Sequence, residues 1–119
     1  MSSPSGPPYT PAVRSGEWLV ISGQVGITSD GVLVTGGFED ELVQALENLR
    51  SRLTENAAAL TDLVKTTVFL RHLSTDYGRM NEIYSGVFPE PRPARSAVGV
   101  AELPMGAMVE IEAWARIAD

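Results

Sequence analysis

The chain has 119 residues, of which 44% are hydrophobic and 20% charged, and its formal net charge is −6. This length and composition indicate a single domain over residues 1–119 and exclude wholesale disorder. With no cysteine and one histidine, the chain cannot form a disulfide, a thiol nucleophile or a two-histidine metal site, and we expect no metal. The acidic balance, without a block of basic residues, argues against nucleic-acid binding.

The N-terminus is a Ser/Pro/Gly-rich arm, predicted to be flexible over residues 1–8. It lacks the basic start and apolar stretch of a signal peptide, and no uncharged run is long enough to span a bilayer, so we expect a cytoplasmic protein with no membrane partner. Residues 9–14 continue this proline-punctuated arm. A short strand over 18–22 ends at Gly23, and 32–34 is a second candidate strand.

Helices and strands alternate along the rest of the chain. Four leucines between positions 42 and 53 form one apolar stripe, which is typical of an amphipathic helix. β-branched and aromatic runs indicate strands, and three prolines end the second helix. Helices are predicted over 38–58 and 76–88, and strands over 63–70, 95–100 and 109–117. The order β-β-α-β-α-β-β predicts an α+β fold with both helices on one face of a mixed β-sheet.

Arg95 is a charged residue in a stretch that otherwise resembles a buried strand. An arginine side chain is always ionised, and burying it without a partner costs several kcal/mol. Two interpretations are open. Arg95 lies at a strand end and pairs with a surface carboxylate, or it faces a cleft and binds a small carboxylate or phosphate through two hydrogen bonds. Ala97 and Gly99 share its strand face and are small, which leaves room for a ligand.

Glu110, Glu112 and Trp114 alternate with apolar residues of the last predicted strand and share one of its faces. This is either a solvated edge-strand face or a face covered by a partner subunit or a cleft. Trp114 favours a cover, because a large aromatic side chain seldom faces open water. A carboxylate in such a place has a perturbed pKa and can act as an acid or a base.

Three further places carry polar groups of interest. Asn81 lies on the second helix, either exposed or facing a ligand. Tyr9 lies on the stiff arm and is either a packing anchor or part of a site. Ser22 and Gly23 end a buried strand, where backbone N–H groups are available to a ligand.

These residues, taken together, resemble the RidA/YjgF proteins from about Tyr9 to Trp114. The matching stretches are 8–13, 21–24, 44–49, 64–70, 80–84, 93–98 and 109–113. Their number, order and spacing make the resemblance specific. It implies a chorismate-mutase-like α+β fold and a homotrimer whose three sheets face inward, with sites in clefts between subunits.

The resemblance also implies a reaction. Members of the Arg-containing branch hydrolyse reactive enamine/imine acids, such as 2-aminoacrylate, to a 2-oxo acid and ammonia without a cofactor. This chain would then be a 2-iminobutanoate/2-iminopropanoate deaminase-like hydrolase. By motif, Arg95 would hold the substrate carboxylate and Glu110 would activate the attacking water. Residues lining the cleft would be Tyr9, Ser22, Asn81 and the backbone around Gly23.

Two positions depart from relatives. Ala97 stands where many of them have cysteine, and Gly99 replaces a larger residue found in some of them, a change expected to widen the pocket. Attack by water needs no thiol, so deamination is expected to survive. The alternative function is a non-catalytic regulatory protein that binds a small 2-oxo acid through Arg95, with no chemistry at Glu110.

Overall fold

A computed structural model describes residues 6–118, which form one five-stranded sheet with two helices packed on one face. The elements are β1 Ala12–Ser15, β2 Trp18–Gln24, α1 Phe38–Glu55, β3 Leu63–Leu70, α2 Leu73–Val87, β4 Ala94–Gly99 and β5 Val109–Arg116. Within this part of the chain, neither helix is long and apolar enough to cross a membrane. The first five positions of the predicted arm over 1–8 lie outside the described residues.

The sheet is mixed. Its strands lie in the order β1-β2-β5-β3-β4, in which β3 and β4 run parallel and the other neighbouring pairs are antiparallel. Parallel neighbours need a crossover connection, and α2 is the helix that links β3 to β4. This arrangement confirms the predicted α+β class with both helices on one face of a mixed sheet.

The hydrophobic core lies between the helices and one face of the sheet. The leucine stripe of α1 is buried against alternating residues of β5. The fully buried positions of these two elements are Leu42, Ala45, Leu49, Leu53, Val109, Ile111, Ala113 and Ala115. Because side chains alternate along a strand, burying this set directs Glu110, Glu112 and Trp114 to the opposite face.

That opposite, outer face of the sheet carries large apolar side chains that water reaches. Trp114 is 46% exposed and Trp18 is 40% exposed, and their rings meet edge to face with centroids 6.3 Å apart. Val13 and Val98 are also exposed on this face. Grouped apolar side chains of this kind mark an interaction surface on a soluble domain.

Two predictions near the N-terminus were wrong. Residues 12–15 form β1 rather than part of the arm, because a tight turn at Gly16, with φ of +60°, folds them back onto β2. Residues 32–34 form no strand of the sheet. Leu33 makes only an isolated bridge to Ile27, inside a loop closed by its own backbone hydrogen bonds. The predicted order of element types holds, and the predicted strand over 18–22 is confirmed as β2, but β1 takes the place of the strand predicted over 32–34.

The stretch around Arg95 is a strand, but it is not the buried strand that its uncharged neighbours suggested. β4 is an edge strand of the sheet, and its residues are exposed or half-buried. The small side chains of Ala97 and Gly99 lie on the face covered by the start of α2. This helix begins at Leu73 rather than at 76, which brings its first turns close to β4.

Candidate active site

Arg95 projects from the sheet face that carries the helices. In the parallel register it is the partner of Thr66, a fully buried residue whose hydroxyl is hydrogen-bonded to the Tyr84 hydroxyl at 2.7 Å. Cross-strand partners share one face of a sheet. The half-buried Arg95 side chain therefore lies beneath α2, the helix that carries Tyr84.

Side chains of α2 hold the Arg95 guanidinium. Its central carbon lies 4.9 Å from the centre of the Tyr84 ring and 5.8 Å from that of the Tyr77 ring. Nη2 donates to the Tyr77 hydroxyl at 3.4 Å, and Nη1 contacts Sδ of Met80 at 3.4 Å. A cation–π contact is worth about 0.5–2 kcal/mol. These contacts orient the cation without neutralising it.

No carboxylate among residues 6–118 forms an ion pair with Arg95. Its two hydrogen bonds are long and involve neutral groups, so most of its donor capacity is unused. A half-buried guanidinium without a counter-charge attracts an anion. Of the two interpretations open from the sequence, this geometry favours the cleft that binds an anion.

A recess of about 280 Å³ opens beside Arg95. Its lining residues are Asn81, Tyr84, Ser85, Arg92, Pro93 and Arg95. The fold thus brings Asn81, one of the predicted site residues, to the same recess as Arg95. It is half-buried rather than an exposed helix residue.

Ala97 lines a neighbouring recess rather than the one beside Arg95. This second recess has a volume of about 410 Å³ and is lined by Leu73, Ser74, Tyr77 and Ala97. Gly99 has a packing role here, because a Cβ added to it would lie 3.2 Å from the Leu73 Cβ. The glycine therefore allows the start of α2 to approach β4 closely.

Glu110 projects from the outer face of the sheet, opposite Arg95. Its partner on β3 is Phe69, whereas the partner of Arg95 is Thr66, and residues three apart on a strand point to opposite faces. The Glu110 carboxylate lies against Gly23, where an added Cβ would be 2.6 Å from Cδ of Glu110. Gly23 thus leaves the space that this carboxylate occupies.

Burial raises the pKa of Glu110 above its ordinary value, and the nearby Glu112 carboxylate raises it further. Both effects disfavour the ionised form. A carboxylate with a raised pKa can accept and return a proton closer to neutral pH than an ordinary glutamate can. Glu110 therefore has the electrostatic character of a general base.

Ser22 belongs to the Glu110 side of the sheet, and Tyr9 lies on the arm that Ser22 holds. The pairing of β2 with β5 shifts register between Ile21 and Gln24, so Ser22 and Gly23 form a bulge there. The Ser22 hydroxyl donates to the Thr10 carbonyl at 2.7 Å, and its backbone N–H donates to the Pro11 carbonyl at 2.9 Å. These two bonds fasten the arm beside Tyr9, whose side chain is 59% exposed.

The predicted site residues therefore form two separate groups within one chain. The helix-side group is Arg95 with Asn81, and Ala97 lies in the adjoining recess. The outer-face group is Glu110 with Gly23 and Ser22. Because Arg95 and Glu110 project from opposite faces, the sheet itself stands between them, and one small molecule cannot contact both groups of the same chain.

A family model described as Endoribonuclease L-PSP matches residues 2–117. The 2-iminobutanoate/2-iminopropanoate deaminase of Mus musculus is 47% identical over 109 residues, which cover 91% of this chain and 80% of that protein. The chain belongs to the RidA/YjgF family. The resemblance drawn from the sequence is thereby confirmed, and so, at the level of the family, is the expected class of deaminase-like hydrolase.

Solved RidA/YjgF structures share the fold. RidA from the Antarctic bacterium Psychrobacter is 37% identical with a TM-score of 0.89, covering 97% of this chain and 92% of that one. The structure of E. coli TdcF with bound serine is 31% identical with a TM-score of 0.89, covering 96% of this chain and 91% of that one. The arrangement of helices and sheet in this RidA/YjgF protein is therefore that of experimentally determined relatives.

Sequence reasoning missed the aromatic support of Arg95 and the second cation at its recess. Tyr77 and Tyr84 are seven positions apart, a spacing that places both on one face of a helix. This spacing is visible in the sequence, but the neighbouring apolar residues are those of a helix face packed in the hydrophobic core. Arg92 follows two prolines in a loop, and no periodic pattern applies to it.

Gly23→Ala is expected to lower kcat by about a hundredfold, because it displaces the Glu110 carboxylate, which the sequence predicts to activate water, and a displacement of about 1 Å is enough for such a loss. The added methyl group overlaps the Glu110 carboxylate, the flexible end of a side chain, which moves while the fold remains. Activity and thermal unfolding of the variant would be measured together. Gly86→Ala, where nothing lies within 4 Å, is the matched control. Near-native kcat in Gly23→Ala would show that Glu110 does not act from its observed position.

Proposed function

We propose that this protein hydrolyses reactive enamine and imine acids of the 2-aminoacrylate type to 2-oxo acids and ammonia. Arg95 binds the substrate carboxylate, and Glu110 activates the attacking water. The observation that carries this proposal is the Arg95 guanidinium, which Tyr77 and Tyr84 orient and which no carboxylate of residues 6–118 neutralises. The deaminase names of relatives at 41–47% identity support the substrate class. The serine bound to TdcF supports binding of an amino-acid-like carboxylate.

The chemistry needs little from the protein beyond orientation and one proton carrier. An enamine acid takes a solvent proton on carbon, and an imine acid takes one on nitrogen, so both reach the same electrophilic iminium ion. A water held by Glu110 adds to the iminium carbon while the carboxylate takes one water proton, and the product is a carbinolamine. Return of that proton to nitrogen makes ammonia the leaving group. The C–N bond then breaks as the hydroxyl proton passes to Glu110 and on to solvent, which leaves the 2-oxo acid. Positioning and general-base catalysis therefore account for the reaction without a cofactor.

The complete site requires a second subunit in this proposal. Arg95 and Glu110 project from opposite faces of one sheet, so they meet only when different copies are joined. The exposed Trp18, Trp114 and Val13 of the outer face supply an apolar surface for that contact. We therefore propose a homotrimer with its sheets facing inward and one site in each cleft between subunits, which would also cover Tyr9 and Ser22.

The experiment is a semicarbazide competition assay. An amino-acid oxidase generates 2-iminopropanoate or 2-iminobutanoate in situ, and disappearance of the imine is timed with and without the protein. The mass of the protein in solution is measured on the same sample. We expect faster loss of the imine and a trimeric mass. Imine decay at the uncatalysed rate would contradict the enzymatic proposal.

Ribonuclease activity, which the description of the family model names, is not the function we propose. The net charge of −6 and the absence of a basic block leave little electrostatic attraction for a phosphate backbone. Nucleic acid is thus not an expected partner. The cytoplasmic location remains a prediction from the sequence.

A further inference from the structure

Arg92 is a second guanidinium at the recess, and the proposed reaction gives it no task. It lies in the loop between α2 and β4, where Nε donates to the Phe88 carbonyl at 3.1 Å and Nη2 to the Ser85 carbonyl at 3.4 Å. Nη1 contacts the Glu90 carboxylate at 3.2 Å. Carbonyl groups at a helix C-terminus lack helical partners, so Arg92 is held by groups that need a donor. One N–H on each Nη atom remains available.

The charge of the recess is strongly positive for so acidic a protein. Of the described residues, Arg92 and Arg95 line the recess and no aspartate or glutamate does. Glu90, the ion-pair partner of Arg92, has an 80% exposed side chain and lies outside the lining. A half-exposed pair of this kind is weak and screened by salt. The recess therefore carries more positive charge than one carboxylate can balance.

Tyr84 provides a second observation that the Arg92 and Arg95 guanidinium groups lie near the same recess. Burial raises the pKa of Tyr84, while its hydrogen bond with Thr66 and the charges of Arg95 and Arg92 act to lower it. Both guanidinium groups are thus within electrostatic reach of one side chain that lines the recess. Two such cations with free donors can bind two anionic groups of one ligand.

We propose that this recess selects 2-imino acids that carry a second carboxylate. Arg95 holds the carboxylate next to the imine carbon, and Arg92 holds the distal one. The volume of about 280 Å³ is just below the usual range for small-molecule pockets, ~300–1,000 Å³, which favours a short dicarboxylic acid of about four or five carbons. This inference rests on the proposed function and adds the substrate class to it.

The test compares two imines of equal chain length, 2-iminoglutarate and 2-iminopentanoate. Each is generated in situ by an amino-acid oxidase, from glutamate and norvaline respectively, and followed by semicarbazide competition. We expect kcat/KM for 2-iminoglutarate to exceed that for 2-iminopentanoate by about tenfold or more, and Arg92→Gln to reduce this ratio to about one. Arg50 is an exposed residue of α1. Arg50→Gln makes the same change in net charge and should leave the ratio at its wild-type value.

The ratio separates substrate binding from a purely structural role of Arg92. Loss of its contacts to the end of α2 affects both imines alike and cancels in the ratio. A wild-type ratio of about one, or an unchanged ratio in Arg92→Gln, overturns this inference while the proposed function stands. If neither five-carbon imine is hydrolysed while 2-iminopropanoate is, the inference is overturned and the proposed function stands. If 2-iminopropanoate is not hydrolysed either, the proposed function fails. In that case the affinities of the protein for 2-oxoglutarate and 2-oxopentanoate, measured by calorimetry, test the dicarboxylate site. A preference of about tenfold for 2-oxoglutarate that Arg92→Gln removes supports this site. Equal affinities overturn it.

Discussion

Replacing Arg95 by alanine is expected to lower kcat/KM for 2-iminopropanoate by about 10- to 150-fold or more. A charge-assisted hydrogen bond to a carboxylate contributes about 1.5–3 kcal/mol, and Arg95 is expected to make two. Arg95→Lys keeps the charge but lacks the planar fork and its stacking on tyrosine, so it should recover only part of the activity. Semicarbazide competition measures both variants. A native rate for Arg95→Ala would mean that another group holds the carboxylate.

The fold of Arg95→Ala serves as the control for this result. No carboxylate among the described residues 6–118 depends on Arg95 for its counter-charge, so removing Arg95 leaves no buried ion of this part of the chain without a partner. We therefore expect little change in the thermal unfolding midpoint. A large drop would mean that the loss of activity reflects unfolding instead of lost substrate binding.

Glu110→Gln is expected to lower kcat by about 10²- to 10⁴-fold, the range over which a positioned acid or base contributes. Glutamine fills the same space beside Gly23 but cannot accept the water proton. The affinity for a 2-oxo acid, measured by calorimetry, should change little, because Arg95 remains. Native turnover in Glu110→Gln would favour the non-catalytic binding protein, in which this carboxylate does no chemistry.

The same variant is expected to change how stability depends on pH. The pKa of Glu110 is raised above its ordinary value of 4.5 by burial and by Glu112, so the folded protein favours the protonated form. Its favourable contribution to folding is complete below that ordinary value and is lost as the pH rises through the raised pKa. Urea unfolding at several pH values should therefore show Glu110→Gln gaining stability relative to wild type across this window. If the difference in unfolding free energy between Glu110→Gln and wild type does not change with pH, the pKa of Glu110 is not raised.

Mixing the two inactive variants tests whether one site takes Arg95 and Glu110 from different subunits. In a cyclic trimer, each mixed assembly of Arg95→Ala and Glu110→Gln chains contains one cleft in which both groups are intact. Random mixing after unfolding and refolding together should then restore about a quarter of the wild-type activity. No restoration is possible if both groups must come from one chain.

Much of the fold could be predicted because its elements have strong periodic patterns. The leucines of α1 recur at helical spacing, and Val109, Ile111 and Ala113 alternate along β5, so each pattern fixes both an element and its buried face. β1 was missed because four residues bounded by proline and glycine carry no such pattern. Its existence depends on pairing with β2, which is a tertiary contact.

The division of the site could not be predicted in the same way. Alternation shows which residues of one strand share a face, but it does not relate the faces of two strands. That relation depends on register, which here places Arg95 beside Thr66 and Glu110 beside Phe69. The types of residue needed for the chemistry were therefore predictable, and their placement on opposite sides of one sheet was not.

This placement has a thermodynamic consequence under the proposed assembly. A ligand that contacts Arg95 of one subunit and Glu110 of the next binds the assembled form and not the separated chains. By linkage, substrate then favours association, and dilution of the protein weakens the apparent affinity for substrate. Metabolite level and protein concentration would thus control activity jointly, so that the enzyme becomes more fully assembled as the compound it removes accumulates.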